Sequence, residues 1–273
     1  TLEAAVNPTW KSFGEYLDTI DGTLAINTAF LVGHSALRRT VMGERAVGEQ
    51  ASEADMAAMI QLLRQSIEAG GCGFSTTTSF THNDHNGDPV PSRWATDEEI
   101  VALSGVVGDY PGTWLELLPG SSHAEPDRRY TLSTAMSLAG NRSVNWNSLV
   151  VRSESPELLA SQLKMGTYAA ERGAKVYGLV PVVPIKNIIN FRSGMQLEYY
   201  EGWHSLIHMP HAEKVEAMKD RGLRKQLLAG AEASYQNTGL PKDFGLFKVE
   251  HLLSEKNQLL IGRYFADIAA EQG

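Results

Sequence analysis

Residues 52–75 read SEADMAAMIQLLRQSIEAGGCGFS, and the order of signals in this stretch decides the fold class. Ser52 followed three residues later by Asp55 has the form of a capping box, with Asp where Glu is usual. Met56, Met59, Ile60, Leu63 and Ile67 then recur at helical spacing, which predicts a helix with one apolar stripe. Gly70-Gly71 ends that helix, and Cys72-Gly73-Phe74-Ser75 is a short β-like run. A helix that feeds directly into a short strand is half of a β-α-β crossover, the connection parallel neighbours need.

The alternation extends in both directions. Upstream, residues 24–32 (LAINTAFLV) form an apolar run closed by Gly33-His34. Downstream, Thr96 and Glu99 predict a second capping box, opening a helix that buries Ile100, Leu103 and Val107. Residues 114–118 (WLELL) follow as a third strand, and a helix over roughly 132–138 leads to a fourth, residues 144–150 (VNWNSLV). Ser155-Pro156 is an N-cap with proline at the first helical position; that helix stops at Gly173 and feeds a fifth strand at 175–180 (KVYGLV). From Ile185 to Ser234 aromatic and charged helical segments replace strands, and residues 265–272 are helical again. The fold class is therefore α/β with parallel strands. Five strands are too few to close an eight-stranded barrel, so the chain reads as an incomplete (β/α)8 barrel, one domain over residues 1–273. Its βα units fill 1–184, with helical elaboration in 185–273.

Of the 273 residues, 42% are hydrophobic and 21% charged, the balance of an ordinary globular protein. A net charge of −8 without a lysine- or arginine-rich run excludes a nucleic-acid backbone as partner. No apolar stretch is long enough for a membrane helix. The single cysteine, Cys72, excludes an internal disulfide framework and suits a reducing, cytoplasmic setting. No basic segment followed by an apolar core opens the chain, whose Thr1 start fits processing or a longer parent.

Several residues carry candidate chemistry. His34 follows a strand and precedes a polar turn, the position of a residue at a barrel mouth or of one bracing the loop. Arg38 is suited to a bidentate clamp on a carboxylate, or to loop bracing. Ser75 and Thr76-Thr77-Thr78 stand at a strand end, where hydroxyls bind a carboxylate or cap loop amides. The loop 81–88 places His82 and His85 among Asn, Asp and Gly, a metal or substrate cluster or simply turn chemistry; Arg93 is placed to pair with Asp84 or Asp88. His204, His208 and His211 share helical spacing interrupted by Pro210. Cys72 reads as a small packed residue, and residues 199–203 (YYEGW) as a pocket wall, a subunit contact or packing under a loop.

Phe13-Gly14-Glu15-Tyr16-Leu17-Asp18, Asn27, residues 32–38 (VGHSALR), 41–43 (VMG) and 69–76 (AGGCGFST) occur in an order and spacing that resembles the D-aminoacylase branch of the amidohydrolases. The resemblance implies a metal-dependent barrel in which zinc polarises an N-acyl amide and activates water, with a last-strand aspartate as base. The His-x-His pair and the cysteine ligand that the family carries on its first two strands have no counterpart here, and no Ser-Asp segment follows Val183. The resemblance thus implies an internal fragment, beginning after strand two and ending before strand eight. Two central strands that carry histidine in the family read WLELL and VNWNS here, leaving Glu116 or Asn147 as oxygen donors. His34, Arg38, Ser75 and His82 are the implied substrate-side positions; no catalytic residue or metal ligand is assigned. The implied substrate is a small N-acyl amino acid, zinc is expected only for the complete parent enzyme, and the chain alone is expected to be inactive. Open barrel edges predict self-association. The alternative is a non-catalytic amidohydrolase-like scaffold; a phosphate-binding barrel is disfavoured because no glycine-rich loop follows a late strand.

Overall fold

The computed structural model describes residues 9–84, 87–120, 126–149, 151, 156–183, 186–191, 194, 197, 199–238, 242–252 and 254–272. These divide into two compact units, Thr1–Val183 and Pro184–Gly273.

In the first unit α1 (Phe13–Ile20) precedes β1 (Val32–Gly33), α2 (His34–Met42), α3 (Glu53–Glu68) and β2 (Gly73–Thr77). Then come α4 (Asp97–Val107), β3 (Trp114–Leu118), α5 (Pro126–Gly140), β4 (Val144–Asn147), α6 (Pro156–Ala170) and β5 (Val176–Leu179). All four neighbouring pairs are parallel and the sheet order is β1-β2-β3-β4-β5. Sequential order with a helix in each crossover is the arrangement of a (β/α) barrel segment, not of a doubly wound sheet, which reverses its order.

The strands sort their side chains by parity. Phe74, Leu115, Leu117, Val144, Trp146 and Val176 are buried in one core with Leu37 of α2, Met59 and Leu63 of α3, Ile100 and Leu103 of α4, Met136 of α5 and Met165 of α6. All the crossover helices therefore cover the same face of the sheet. A fully buried Leu such as Leu63 or Leu115 contributes about 1.5–3 kcal/mol relative to an exposed one. The opposite face carries Ser75, Glu116 and Asn145, aligned across the strands, followed by exposed Tyr177.

The sequence-based boundaries hold for β3 and for the C-terminal α10 (Phe265–Gln272), and differ elsewhere. Of the apolar run 24–32 only Val32 is in a strand, together with Gly33; Leu24 and Ile26 are exposed at 46% and 74%. A strand needs a ladder partner, and on β1 only Val32 and Gly33 have one, Phe74 and Ser75. The N-cap expected at Ser155 lies outside the described residues. At the start of α3 both halves of the expected capping box form between Ser52 and Asp55, and Arg45 braces the Asp55 carboxylate at 2.8 Å.

The second unit contains α7 (His204–His208), α8 (His211–Ala217), α9 (Arg221–Thr238) and α10. Tyr200, Trp203, Leu206, Ile207 and Leu227 form its core, and Trp203 Nε1 donates to the Leu227 carbonyl at 2.8 Å. The aromatic run is thus packing. No described helix is long and apolar enough to cross a membrane.

Gly73 is the tightest point of the sheet. Its φ is +145°, and a Cβ there would lie 1.9 Å from the Trp114 carbonyl oxygen on β3. Gly73→Ala is expected to lower stability by roughly 2–4 kcal/mol through strain and a displaced strand pair. Gly33→Ala, which meets nothing within 4 Å, is expected to cost under about 1 kcal/mol. Urea unfolding of both variants checks this.

Candidate functional site

His34 starts α2 immediately after β1, and Arg38 lies one turn further on; both are buried, at 1% and 0% exposure. Each points at Glu99, in the first turn of α4. Thr96 caps that helix by accepting from the Glu99 N–H at 3.2 Å, as the sequence predicts. The second half of the expected box does not form, because the Glu99 carboxylate turns inward. It accepts from Arg38 Nη1 at 2.6 and 2.7 Å and from His34 Nε2 at 2.8 Å. Since the carboxylate only accepts, the His34 proton sits on Nε2, and Nδ1 accepts from the Thr76 hydroxyl at 2.8 Å. Arg38 Nη2 donates to the carbonyls of Glu49 (2.6 Å) and Ala46 (3.5 Å).

Burial pushes the His34 imidazole below its ordinary value, against the opposing pull of Glu99, and the Arg38 charge adds to the depression. Burial alone would raise the Glu99 carboxyl, but the hydrogen bonds and charges of His34 and Arg38 outweigh it and hold it low. The arrangement is a neutral histidine beside a buried ion pair. It ties the ends of β1 and β2 to α2 and α4 on the helix-covered side.

Ser75 lies on the other face, between Gly33 and Glu116 in the strand register, so the structure does not bring it together with His34 and Arg38. Thr77 and Thr78 accept from the N–H groups of Ser79 (3.1 Å) and Gly120 (3.1 Å), capping loop amides at the strand end. His82 is exposed in the following loop, where its backbone pairs with Ser79 and Val90. Asp84 and Asp88 close the turn around Gly87, Arg93 reaches Asn83 at 2.5 Å, and His85 lies outside the described residues. The rings of His204 and His208 approach to 4.4 Å on α7, tilted by 40°, while His211 begins α8 beyond Pro210. Cys72 donates to the Phe30 carbonyl at 3.0 Å, and burial raises its thiol pKa, which argues against a nucleophile.

Asn147, at the end of β4, donates from Nδ2 to Oε1 of Glu116, in the middle of β3, at 2.6 Å, and burial pushes the Glu116 carboxyl up. A strand-end metal centre needs several converging donors. Among the described residues no group of three or more His, Cys, Asp or Glu side chains could hold a metal ion. The described donor set therefore does not fit the zinc centre that the resemblance implies. Glu99 is the residue that sequence reading missed as part of a constellation; it was assigned to a helix cap, and its partners lie 65 and 61 positions away.

Fold and site together define a parallel α/β protein with the strand order of a barrel segment and a buried His-Arg-Glu cluster at its first strand end. In sequence the chain is similar to the D-aminoacylase of Alcaligenes xylosoxydans xylosoxydans, 30% identical over 106 residues, covering 38% of this chain and 20% of that protein. The N-acyl-D-aspartate deacylase of the same organism is 36% identical over 92 residues, 33% of this chain and 16% of that one. An uncharacterized protein of Mycobacterium tuberculosis is 26% identical over 290 residues, covering 98% of this chain; the chain spans 45% of that relative's length. No family model matches. Among solved structures, the N-acyl-D-glutamate deacylase of Bordetella bronchiseptica, complexed with zinc and a phosphonate inhibitor, has a TM-score of 0.49 and 18% identity over 98% of this chain and 44% of its own. A D-aminoacylase structure has a TM-score of 0.46 and 20% identity over 64% of this chain and 34% of its own.

Removing the Glu99 charge would leave Arg38 buried and uncompensated. Glu99→Gln is expected to cost about 3–5 kcal/mol. Asp109→Asn, which breaks the half-exposed pair with Arg64, is expected to cost under about 1 kcal/mol. The depressed His34 also fixes a pH dependence. The unfolded chain takes up a proton that the folded chain refuses, so this stability is fully present above the ordinary imidazole value of 6.5 and is lost as pH falls below it. Urea midpoints should drop between about pH 7 and pH 5 in the parent chain, and drop less in His34→Gln.

Proposed function

We propose that this chain is part of an amidohydrolase of the D-aminoacylase branch, which cleaves the amide bond of N-acyl-D-amino acids or of related N-acyl and cyclic amides. The observation that carries the reading is the 30% identity with D-aminoacylase over 106 residues. It is supported by the parallel order β1-β2-β3-β4-β5, which brings the C-terminal strand ends to one rim, where barrel enzymes hold substrates. On this reading Ser75, on the open face, and His82, in the loop after β2, are substrate-side positions. His34 and Arg38 were candidates for the same role; their burial against Glu99 supports positioning the ends of β1 and β2 instead. Zinc belongs to the complete enzyme. The described residues here contain no cluster of three or more His, Cys, Asp or Glu that could hold it, and the chain by itself is expected to be inactive. A cytoplasmic setting goes with the single cysteine. Self-association goes with a sheet whose β5 exposes Tyr177 at 56% and Leu179 at 38%.

The second reading, a non-catalytic scaffold, is favoured by one observation. Glu116 and Asn147, on the two strands where the family carries histidines, satisfy each other.

Amino-acid release from N-acetyl-D- and N-acetyl-L-amino acids, measured for this chain and for the natural gene product that carries it, separates the readings. The expected outcome is D-selective release by the natural product and none by the chain. Absence of release from both establishes the scaffold, and turnover by the chain alone overturns its expected inactivity. Light scattering of the isolated chain is expected to show dimers or larger species; a monomer at all concentrations contradicts self-association.

A further inference from the structure

A cleft of about 90 Å³ opens at the C-terminal rim of the sheet, between the ends of β2 and β3 and the start of α5. Thr78, Phe80, Leu117, Gly120, Arg128 and Arg129 line it, and among the described residues no acidic side chain does. The two arginines differ in what they already hold. Arg128 is paired with Asp97, its Nη2 at 2.8 Å and its Nε at 3.2 Å from Oδ1. Arg129 has no ion pair with a described residue, and its Nε is buried without a hydrogen-bond partner among them. A buried donor left unmade costs roughly 1–3 kcal/mol, more on a charged group, and such orphans in native proteins mark ligands or strain. The setting is unfavourable for a cation in a second way. Arg129 stands in the first turn of α5, a helix of 15 residues whose N-terminus carries positive potential.

We propose that this cleft binds a carboxylate, with the Arg129 guanidinium as its fork. A planar oxyanion in the cleft accepts from the two Nη groups together, a bidentate geometry in which arginine exceeds lysine, while the buried Nε stays out of its reach. The Thr78 hydroxyl oxygen already accepts from the Gly120 N–H at 3.1 Å, so its own proton is left to donate. Phe80 and Leu117 give the body of the ligand an apolar wall. The ligand class is a small carboxylate with a short neutral body. If the proposed function holds, on which this last step rests, that carboxylate is the one borne by an N-acyl amino acid. Arg129 then fills the role that its sequence suggested for Arg38, whose guanidinium is taken by Glu99.

Titration calorimetry of the whole chain with acetate, N-acetylglycine and acetamide at low ionic strength tests the proposal. Saturable binding of the two carboxylates and none of acetamide is expected. Arg129→Gln should weaken carboxylate binding about tenfold or more, Arg129→Lys should restore part of it, and Arg64→Gln, outside the cleft lining, should change it less than about twofold. Unchanged melting temperatures show that the partly buried Arg129 can be replaced without unfolding. No saturable carboxylate binding, an equal loss in Arg64→Gln, or full affinity in Arg129→Gln overturns the site. The deacylase assay is a separate readout. Carboxylate binding without deacylation by the natural product defeats the proposed reaction and leaves the site standing; deacylation without Arg129-dependent binding does the reverse.

Discussion

A carboxylate that leaves water without a partner loses several kcal/mol of solvation, and Glu99 is 5% exposed. It is tolerable there because Arg38 supplies a full charge and His34 a second donor, while Thr76 occupies the remaining ring nitrogen. The four residues come from three elements, His34 and Arg38 from α2, Thr76 from β2 and Glu99 from α4, so the cluster forms only when α2, β2 and α4 are all in place, and α2 carries the end of β1 with it. Net stability is not what such a cluster chiefly provides, since an apolar replacement of equal volume is often neutral or better. It provides a penalty for wrong arrangements: any register slip that separates Glu99 from Arg38 buries two unpaired charges. β1 is the element that most needs this, with only Val32 and Gly33 holding it to the sheet.

From that corner the sheet divides by side-chain parity. The residues of β2 to β5 that face the helices are almost all apolar, and Thr76, the exception, is the one the cluster recruits. The other parity is polar in the middle and aromatic at the edge, with Ser75, Glu116 and Asn145 in one row and Tyr177 at its end. A strand buried on both sides would read as a continuous apolar run. Glu116 interrupts β3 in that sense. Its raised carboxyl and its bond to Asn147 show a group that is half desolvated and satisfied across the β3–β4 boundary.

Elements were legible in the sequence where the signal was local. The Ser52–Asp55 box, the stripe from Met56 to Ile67 and the β-like WLELL each need only their own neighbours, and each appears as expected. The run 24–32 was misleading for the complementary reason: an apolar run specifies a strand only if a partner is present to pair with it. Glu99 is the sharpest case. Its spacing from Thr96 is that of a capping box, and the Thr96 half does form, so the local rule succeeds for the backbone and fails for the side chain. What redirects the carboxylate is a charge 61 positions upstream, and no periodicity reports that distance. His34 and Arg38 stood out as chemically potent residues at a strand end; whether such residues face solvent or the core is decided by tertiary packing alone.

The two arginines, Arg38 and Arg129, bring this to one question. Both have the same functional group, both sit in the opening turns of a helix that follows a strand, and both keep an Nε without a partner. The difference lies in the rest of the guanidinium. In Arg38 the two Nη groups are spent on Glu99 and on backbone carbonyls, so its orphan Nε is the residue of an otherwise saturated group and has no room to acquire a ligand. In Arg129 the orphan belongs to a side chain that lines an open cleft and has no acid of a described residue against it. Hydrogen-bond saturation, more than residue type or position along a strand–helix unit, therefore separates an arginine that holds the fold together from one able to hold something else.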